Sequence, residues 1–402
     1  MLKFTPLEYL KIDIANAFGK DKLTWGERLQ WYEDNKNNLD FTKADEPARA
    51  CAGIDALEKT LRGEPTGFMC AMDATISGVQ LLSIMLGSRI GCILTNAIHS
   101  GERVDGYTYI YEMTKQYAPN LESLTRQNIK DAVMQYFYGG SKTAKDMFGE
   151  EGFMIFELVL SEIVPDLVKL RNLLLELWNP NVKEYHWTLP DNFHVNMLVE
   201  KTNYYSFKLF TEEYSFGITE NAPVKKGDMG SKALGANITH SVDGFILREM
   251  CSRCMYDQEH IDELRKVQHS KPNMLNLNKN TLKDYKTITT FLELGKESGF
   301  YSARILDYLN KDNISLVPQD ILDHLLNSLP KRRFDMMTIH DCFFAHANYI
   351  HDVREQYRNC LVDLSKSNLL EYILKQVLNK KININKPEDL TNEIAQEEYA
   401  IC

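Results

Sequence analysis

Two short apolar segments in distant parts of the chain each end at an aspartate, and this pairing constrains the fold more than any other feature. Residues 67–72 are apolar and bounded by turn residues, and Asp73 follows them. Residues 334–339 repeat the pattern and are followed by His340 and Asp341. Short apolar runs between turn signals are typical of buried strands. We therefore predict two core strands with carboxylates at their ends, although 268 positions separate Asp73 from Asp341.

The two aspartates allow more than one interpretation. A carboxylate at the end of a buried strand is costly unless it is paired or bound to a metal ion. Two such strand ends side by side can hold Mg²⁺ with oxygen ligands and leave coordination positions for substrate phosphates. Asp73 also precedes an apolar helix predicted over 77–85, so a role as the N-cap of that helix stays open.

A second pattern lies in the segment RQNIKDAVMQYFYGG. Arg126, Lys130 and Met134 are spaced four apart and Tyr138 follows one turn later, so one helix face carries all four. Arginine forks onto phosphate oxygens and lysine supplies a point charge, so this face suits a triphosphate. Gly139 lets a ligand approach the backbone beside the tyrosine. The alternative is a solvated helix face with a buried tyrosine.

Composition limits the classes of function. The chain has 402 residues, of which 44% are hydrophobic and 25% charged, as in globular proteins of two or three domains. It has no run of 18 apolar residues and no signal-peptide pattern, so we predict a cytoplasmic protein. A net charge of −10 argues against unaided nucleic-acid binding, but leaves room for a basic cleft or a basic partner. Cys251 and Cys254 form a CxxC without the second pair of a zinc site, which predicts reduced thiols.

Helical periodicity dominates the remaining sequence, and the predicted fold class is α+β, mostly helical. We predict helices through 1–60 and 102–178. Alternating aromatic and β-branched residues over 185–216 predict strands in one long hairpin, placed at about 195–235. A turn followed by a helix is predicted over 236–250.

Taken in order, these segments resemble the three polymerase motifs of the single-subunit RNA polymerases of phages and mitochondria. Motif A is matched by the DATISGVQ segment that starts at Asp73, and motif C by the HDC segment around Asp341. Motif B is matched by the pattern R-x3-K-x7-YG that starts at Arg126.

Further matches surround the three motifs. THSVDG, at 239–244, resembles the family's HS-x-DG turn, and WTLPDNF, at 187–193, resembles a family strand that usually has glycine where Asn192 stands. The segment from Ala15 to Lys22 resembles the stretch before motif A. The tail YAIC, at 399–402, resembles the short aromatic C-terminus that these enzymes fold back to the active site.

The resemblance implies a right-hand polymerase palm and fingers, with the N-terminal domain and thumb absent from this chain. The implied divisions are a helical palm-associated segment (1–63), the palm with motif A (64–90), the fingers (91–240) with the 126–139 helix and the 195–235 hairpin, and the palm with motif C (241–402), which includes a helical insertion (257–330) and the C-terminal tail.

The resemblance also implies three groups of site residues. Two Mg²⁺ ions would be bound by Asp73, Asp341 and the backbone carbonyl of Ala74. The triphosphate would be bound by Arg126, Lys130 and Lys22, with Lys130 donating the proton to pyrophosphate. The ribose and base pair would be contacted by Tyr138, Gly139, Gly78, Tyr107 and His240.

Three positions favour ribonucleotides over deoxyribonucleotides. DNA polymerases of the same superfamily usually carry glutamate where Gly78 stands, an aromatic residue at Met134 and glutamate at Cys342. The enzyme implied is a DNA-directed RNA polymerase. A DNA polymerase or reverse-transcriptase-like enzyme, and a non-catalytic structural subunit, are the alternatives.

The family's D-x-x-GR strand should precede the segment from Ala15 to Lys22, and the sequence starts after that point. We therefore expect a second polypeptide to supply this strand, the N-terminal domain and the thumb. That arrangement resembles the two-chain RNA polymerase that some podophages use for their middle genes, which would place the protein in a bacterial host's cytoplasm. The other expected partners are template DNA, nascent RNA, nucleoside triphosphates and a template-opening protein, without a membrane.

Overall fold

The structure is a computed structural model that describes residues 2–99, 101, 103–179, 181–209, 214–223, 233–269 and 279–402. The helices are α1 (Pro6–Ala15), α2 (Trp25–Asn35), α3 (Pro47–Leu61), α4 (Ser77–Leu86), α5 (Arg89–Leu94), α6 (Gly106–Tyr117), α7 (Arg126–Phe137), α8 (Lys142–Ile163), α9 (Pro165–Glu176), α10 (Ala233–Cys254), α11 (Gln258–Val267), α12 (Lys279–Ser298), α13 (Gln319–Ser328), α14 (Ile350–Lys366), α15 (Leu369–Leu378) and α16 (Thr391–Ile394). The strands are β1 (Met69–Asp73), β2 (Glu184–Thr188), β3 (His194–Leu198), β4 (Glu200–Leu209), β5 (Tyr214–Pro223), β6 (Met336–Ile339) and β7 (Cys342–His346). This mostly helical mixture confirms the predicted α+β class. None of the described helices combines the length and apolar character that a membrane span requires.

The two predicted aspartate-ended strands belong to one antiparallel sheet with strand order β1-β7-β6. Asp73, the last residue of β1, has Cys342 on β7 as its Cα partner. Asp341 lies in the two-residue turn between β6 and β7, next to His340, which adopts φ +54°. The sheet register therefore brings the two aspartates together, because Asp341 directly precedes the residue paired with Asp73.

One face of this sheet is buried and the other is open. Cys70 and Met72 of β1, and Phe343 and Ala345 of β7, are almost fully buried. This alternation is typical of an antiparallel sheet with a single packed face. Asp73 lies on the open face, where a ligand can reach it.

The C-terminal tail lies against the free edge of β1. The backbone N–H of Cys402 donates to the Asp73 carbonyl at 3.0 Å, and the N–H of Thr75 donates to the Ala400 carbonyl at 3.2 Å. The Tyr399 ring stacks on Trp25 with centroids 5.3 Å apart. The predicted return of the tail to motif A is thus present, and it covers an edge that would otherwise be unpaired.

A second, smaller hydrophobic core lies within residues 256–329, separate from the main core. It is built mainly from α11, α12, α13 and the turns between them. The described residues of 257–330 are mainly helical, as predicted, whereas the origin of this segment as an insertion and the other domain boundaries stay predictions.

The long hairpin predicted at about 195–235 is present as β4–β5, which spans residues 200–223, and a shorter hairpin that was not predicted separately precedes it. The structure has two hairpins, β2–β3 and β4–β5, and residues 233–235 belong to α10. Residues 224–232 lie outside the described residues. Alternation alone did not show that the segment 189–193 reverses the chain and closes the first hairpin.

The turn predicted at the start of residues 236–250 is wrong. Residues 239–244 lie inside α10, which runs without interruption from Ala233 to Cys254. Packing of Ile238, Val242 and Phe245 into the main core stabilises helix across a sequence that reads locally as a turn.

The first hairpin gives a test of backbone strain. Asn192 adopts φ +57° in the β2–β3 turn. The family that this segment resembles usually has glycine at this position. Asparagine tolerates this conformation but a β-branched residue does not. We expect Asn192→Val to lower the free energy of unfolding by about 1–2 kcal/mol, and Asn192→Gly to change it by less than about 0.5 kcal/mol. Urea denaturation measures both, and equal losses in the two variants would contradict this account.

Candidate active site

A cavity of about 560 Å³ opens between the central sheet and helices α4, α6 and α7. Its wall includes nine of the eleven predicted site residues: Lys22, Asp73, Ala74, Gly78, Tyr107, Arg126, Lys130, Tyr138 and Asp341. The remaining two adjoin Tyr138. The His240 ring lies 4.5 Å from the Tyr138 ring, centroid to centroid, and Gly139 follows Tyr138 with φ +86°.

The two aspartates are held by the backbone. The Ala74 N–H donates to the Asp341 carbonyl at 3.2 Å, and the Cys402 N–H donates to the Asp73 carbonyl. Partial burial, reinforced by the negative charge of Asp341, raises the pKa of Asp73 to about 6. Helix α4 has Ile76 as its N-cap residue, so the N-cap interpretation of Asp73 is wrong.

Among the described residues, no group of three or more His, Cys, Asp or Glu side chains is placed to hold a metal ion.

Helix α7 contributes its cationic face to the cavity wall. Arg126, Lys130, Met134 and Tyr138 all lie on the cavity wall. Lys130 makes no hydrogen bond or ion pair with any residue that the structure describes, so its three N–H donors are free for a ligand. The four residues predicted to share one helix face, called here the α7 stripe, therefore all line the cavity.

Tyr138 lies directly over Gly78. A Cβ atom added at Gly78 would be 2.4 Å from the Tyr138 hydroxyl oxygen and 2.9 Å from Cζ. Burial, followed by the charges of Asp243 and Asp341, raises the pKa of Tyr138 to about 12. The phenol therefore keeps its proton at neutral pH and can donate a hydrogen bond into the cavity.

Comparison with known proteins agrees with this geometry. A family model described as DNA-dependent RNA polymerase matches residues 2–151, which include Asp73 and all of α7. The DNA-directed RNA polymerase of Pseudomonas phage phiKMV is 24% identical over 299 residues, covering 59% of this chain and 37% of that protein. A protein of Neurospora crassa named "Probable DNA-directed RNA polymerase" is 32% identical over 163 residues, covering 34% of this chain and 18% of that protein.

Residues 2–151 are therefore similar to the DNA-dependent RNA polymerase family, and parts of the chain are similar to a phage and a fungal protein named as such polymerases. The chain spans less than two fifths of the length of either relative. The region matched by the family model contains Asp73 and α7, and the central sheet places Asp341 beside Asp73.

The sequence analysis did not assign two nearby carboxylates, Asp105 and Asp243, to the site. Asp105 lies on the cavity wall and accepts hydrogen bonds from Arg126. Burial, together with the negative charge of Asp341, raises the pKa of Asp243 to about 6. A signal for the first existed in the spacing Asp105-x-x-Thr108, which is an N-cap pattern.

Lys22 lies at the edge of the cavity and forms an ion pair with its neighbour Asp21. The backbone carbonyl of Lys22 accepts a hydrogen bond from Arg103 at 3.1 Å. Both Lys22 and Arg126 therefore already have carboxylate partners. Lys130 has none among the described residues, so it can bind an anion without first breaking an ion pair.

Proposed function

We propose that this chain carries out DNA-templated RNA synthesis, adding ribonucleotides to an RNA 3′ end by nucleotidyl transfer. The observation that carries the proposal is the convergence of Asp73, Asp341 and the Arg126–Tyr138 stripe on one cavity, from segments far apart in the chain. In this assignment the central sheet is the palm of a right-hand polymerase, and α6 to α9 with the hairpins are the fingers. The β4–β5 hairpin, with exposed Tyr204, Tyr205 and Phe207, is a candidate DNA-reading element.

Two Mg²⁺ ions fit the residues present. Asp73 and Asp341, with the carbonyl of Ala74 beside them, would hold the ions. The raised pKa of Asp73 supports this, because neighbouring carboxylates that repel each other are stabilised by a shared cation. Bound Mg²⁺ would lower the pKa of the attacking 3′-hydroxyl and neutralise charge on the leaving pyrophosphate.

The chain's own residues would bind and orient the nucleotide. Lys130 would contact the triphosphate and donate a proton to the departing pyrophosphate, since it reaches the cavity without a partner among the described residues. Arg126 and Lys22 would add phosphate contacts. Such charge-assisted contacts to phosphate oxygens are strong and directional.

Ribose selection would rest on the contact between Tyr138 and Gly78. The tyrosine hydroxyl occupies the space that a side chain at position 78 would take, which keeps that hydroxyl at the cavity surface. Tyr107 and His240 would contact the sugar or the minor-groove edge from either side of this pair.

We expect Gly78→Ala to lower kcat/KM for ribonucleotides by about 10- to 100-fold, because the new methyl group displaces Tyr138. The ratio of ribonucleotide to deoxyribonucleotide incorporation should fall as well. Gly26→Ala is the matched control, because a Cβ atom there would meet nothing within 4 Å. Unchanged kinetics in Gly78→Ala would remove Tyr138 from ribose selection.

The test of the proposed function is extension of a labelled RNA primer on a DNA template by the purified protein, with ribonucleotides or deoxyribonucleotides. The proposal predicts templated extension with ribonucleotides. A preference for deoxyribonucleotides that Gly78→Glu strengthens would favour a DNA polymerase. Absence of any synthesis by the complex purified from its native source would favour a structural subunit.

A second polypeptide and a template-opening protein stay predictions. Copurification with the neighbouring gene product, followed by transcription on single-stranded and duplex templates, tests both. Efficient primer extension by this chain alone would argue against a required second polypeptide. Equal activity on both templates would argue against a template-opening helper.

A further inference from the structure

We infer that Asp105 is a positioning residue that holds Arg126 in place for the triphosphate of the incoming nucleotide. This inference rests on the proposed function and adds to it a residue that the sequence analysis did not assign to the site. Asp105 would act through Arg126 and would not itself touch the nucleotide.

Asp105 is itself firmly anchored. It is the N-cap residue of α6 and accepts hydrogen bonds from the Thr108 N–H at 3.2 Å and from the Thr108 hydroxyl at 2.9 Å. Burial alone would raise the pKa of Asp105, but the hydrogen bonds from Thr108 and the charge of Arg126 lower it. The carboxylate is therefore ionised at neutral pH and fixed to the start of a helix.

This anchored carboxylate holds Arg126 through a fork of two guanidinium nitrogens. Arg126 Nε donates to Asp105 Oδ2 at 2.9 Å, and Nη2 lies 2.9 Å from Oδ1 and 2.7 Å from Oδ2. Nε also lies 3.0 Å from the Thr108 hydroxyl oxygen. Charge-assisted contacts from two nitrogens to one carboxylate restrict the position of the guanidinium.

The grip leaves Arg126 able to bind an anion. A guanidinium has five N–H donors, and the fork uses one on Nε and one on Nη2. The donors on Nη1 have no hydrogen-bond partner among the described residues. The arginine side chain is 35% exposed and lies on the cavity wall one helical turn before Lys130.

Positioning is favourable because a flexible arginine loses conformational freedom when it binds phosphate. An arginine already held in its bound orientation loses less, so affinity and rate both gain. The opposing effect is the negative charge of Asp105 near an anionic ligand. The two effects predict opposite results when the carboxylate is removed, so experiment can separate them.

The test measures kcat and KM for single-ribonucleotide addition in the complete polymerase, using Asp105→Ala, Asp105→Asn, Arg126→Ala and the double variant Asp105→Ala/Arg126→Ala. Equilibrium binding of the templated ribonucleoside triphosphate to a complex with a 3′-deoxy-terminated primer gives a second readout without chemistry. Asp257→Ala is the matched control, because Asp257 caps α11 in the same way and lies outside the cavity.

We expect Asp105→Ala to raise KM and the nucleotide dissociation constant by about 10- to 100-fold, with Asp105→Asn in between. In the Arg126→Ala background the same change should have less than about a twofold effect, because the two residues act as one unit. A lower KM in Asp105→Ala would mean that adverse charge dominates and would overturn the inference. If Asp105→Ala raises KM just as much in the Arg126→Ala background, Asp105 acts only as a helix cap, and the inference is overturned as well.

Failure of the proposed function is distinguishable from failure of this inference. If the unaltered protein neither binds nor adds ribonucleotides, the proposed function fails. If the unaltered protein is active and Asp105→Ala keeps its KM and dissociation constant, only the positioning role fails.

Discussion

Replacing Asp341 with asparagine should abolish RNA synthesis while leaving the fold intact. The change removes one of the two carboxylates that would share the Mg²⁺ ions, and its side chain keeps the same size. We expect a loss of at least about a thousandfold in kcat, equal to about 4 kcal/mol in activation free energy. The hydrogen bond from the Ala74 N–H goes to the Asp341 backbone and survives the substitution. Primer extension and thermal unfolding of the same samples measure the two effects.

Asp320→Asn is the matched control for this prediction, because Asp320 is exposed on α13 and lies outside the cavity. Its activity should equal that of the unaltered protein. Synthesis by Asp341→Asn at more than about a tenth of the normal rate would exclude Asp341 as a required metal ligand. Loss of both activity and folding would leave stability as the cause, and Asp341→Glu, which retains a carboxylate, then separates the two.

Replacing Glu249 with alanine should have the largest effect on stability. Glu249 is fully buried and accepts hydrogen bonds from Arg253 at 2.8 Å, from the Ser302 hydroxyl at 2.6 Å and from the Ala303 N–H at 3.0 Å. It thereby joins α10 of the main core to the start of a turn in the smaller core. Glu249→Ala leaves the buried Arg253 charge with Asp363 as its remaining carboxylate partner. We therefore expect the free energy of unfolding to fall by about 3–5 kcal/mol.

The control is Asp55→Ala, which breaks an i, i+4 ion pair with Lys59 of the same geometry on an exposed helix face. Asp55→Ala should lower the free energy of unfolding by less than about 0.5 kcal/mol. All four tryptophans lie outside residues 256–329, so fluorescence follows the main core and far-UV circular dichroism follows both cores. In Glu249→Ala the two urea transitions should separate, with the dichroism change starting at lower urea. Coincident transitions and a loss no larger than that of Asp55→Ala would contradict the proposed link.

Local patterns made several parts of the structure predictable. The two aspartate-ended strands and the helix face of α7 each depend on residues within a few positions of one another. Such patterns carry their own physical cause, either a side-chain period or a cap.

The features that sequence reasoning missed depend on contacts between distant segments. α10 stays helical across residues 239–244 because its apolar face packs into the main core. The grip of Asp105 on Arg126 crosses 21 positions and leaves no local pattern. The two hairpins share one alternating signature, and the chain reversal inside the first of them occurs at a turn with Asn192 at positive φ.

Cleavage of the chain by bound iron tests most directly whether Asp73 and Asp341 share a cation. Fe²⁺ substituted for Mg²⁺, with ascorbate and peroxide, generates radicals that cut the backbone close to the ion. Cuts near both residue 73 and residue 341, suppressed by excess Mg²⁺ and lost in Asp73→Asn and in Asp341→Asn, are the predicted result. Cuts confined to one of these segments, or unchanged in both variants, would contradict a metal site shared between the two strands.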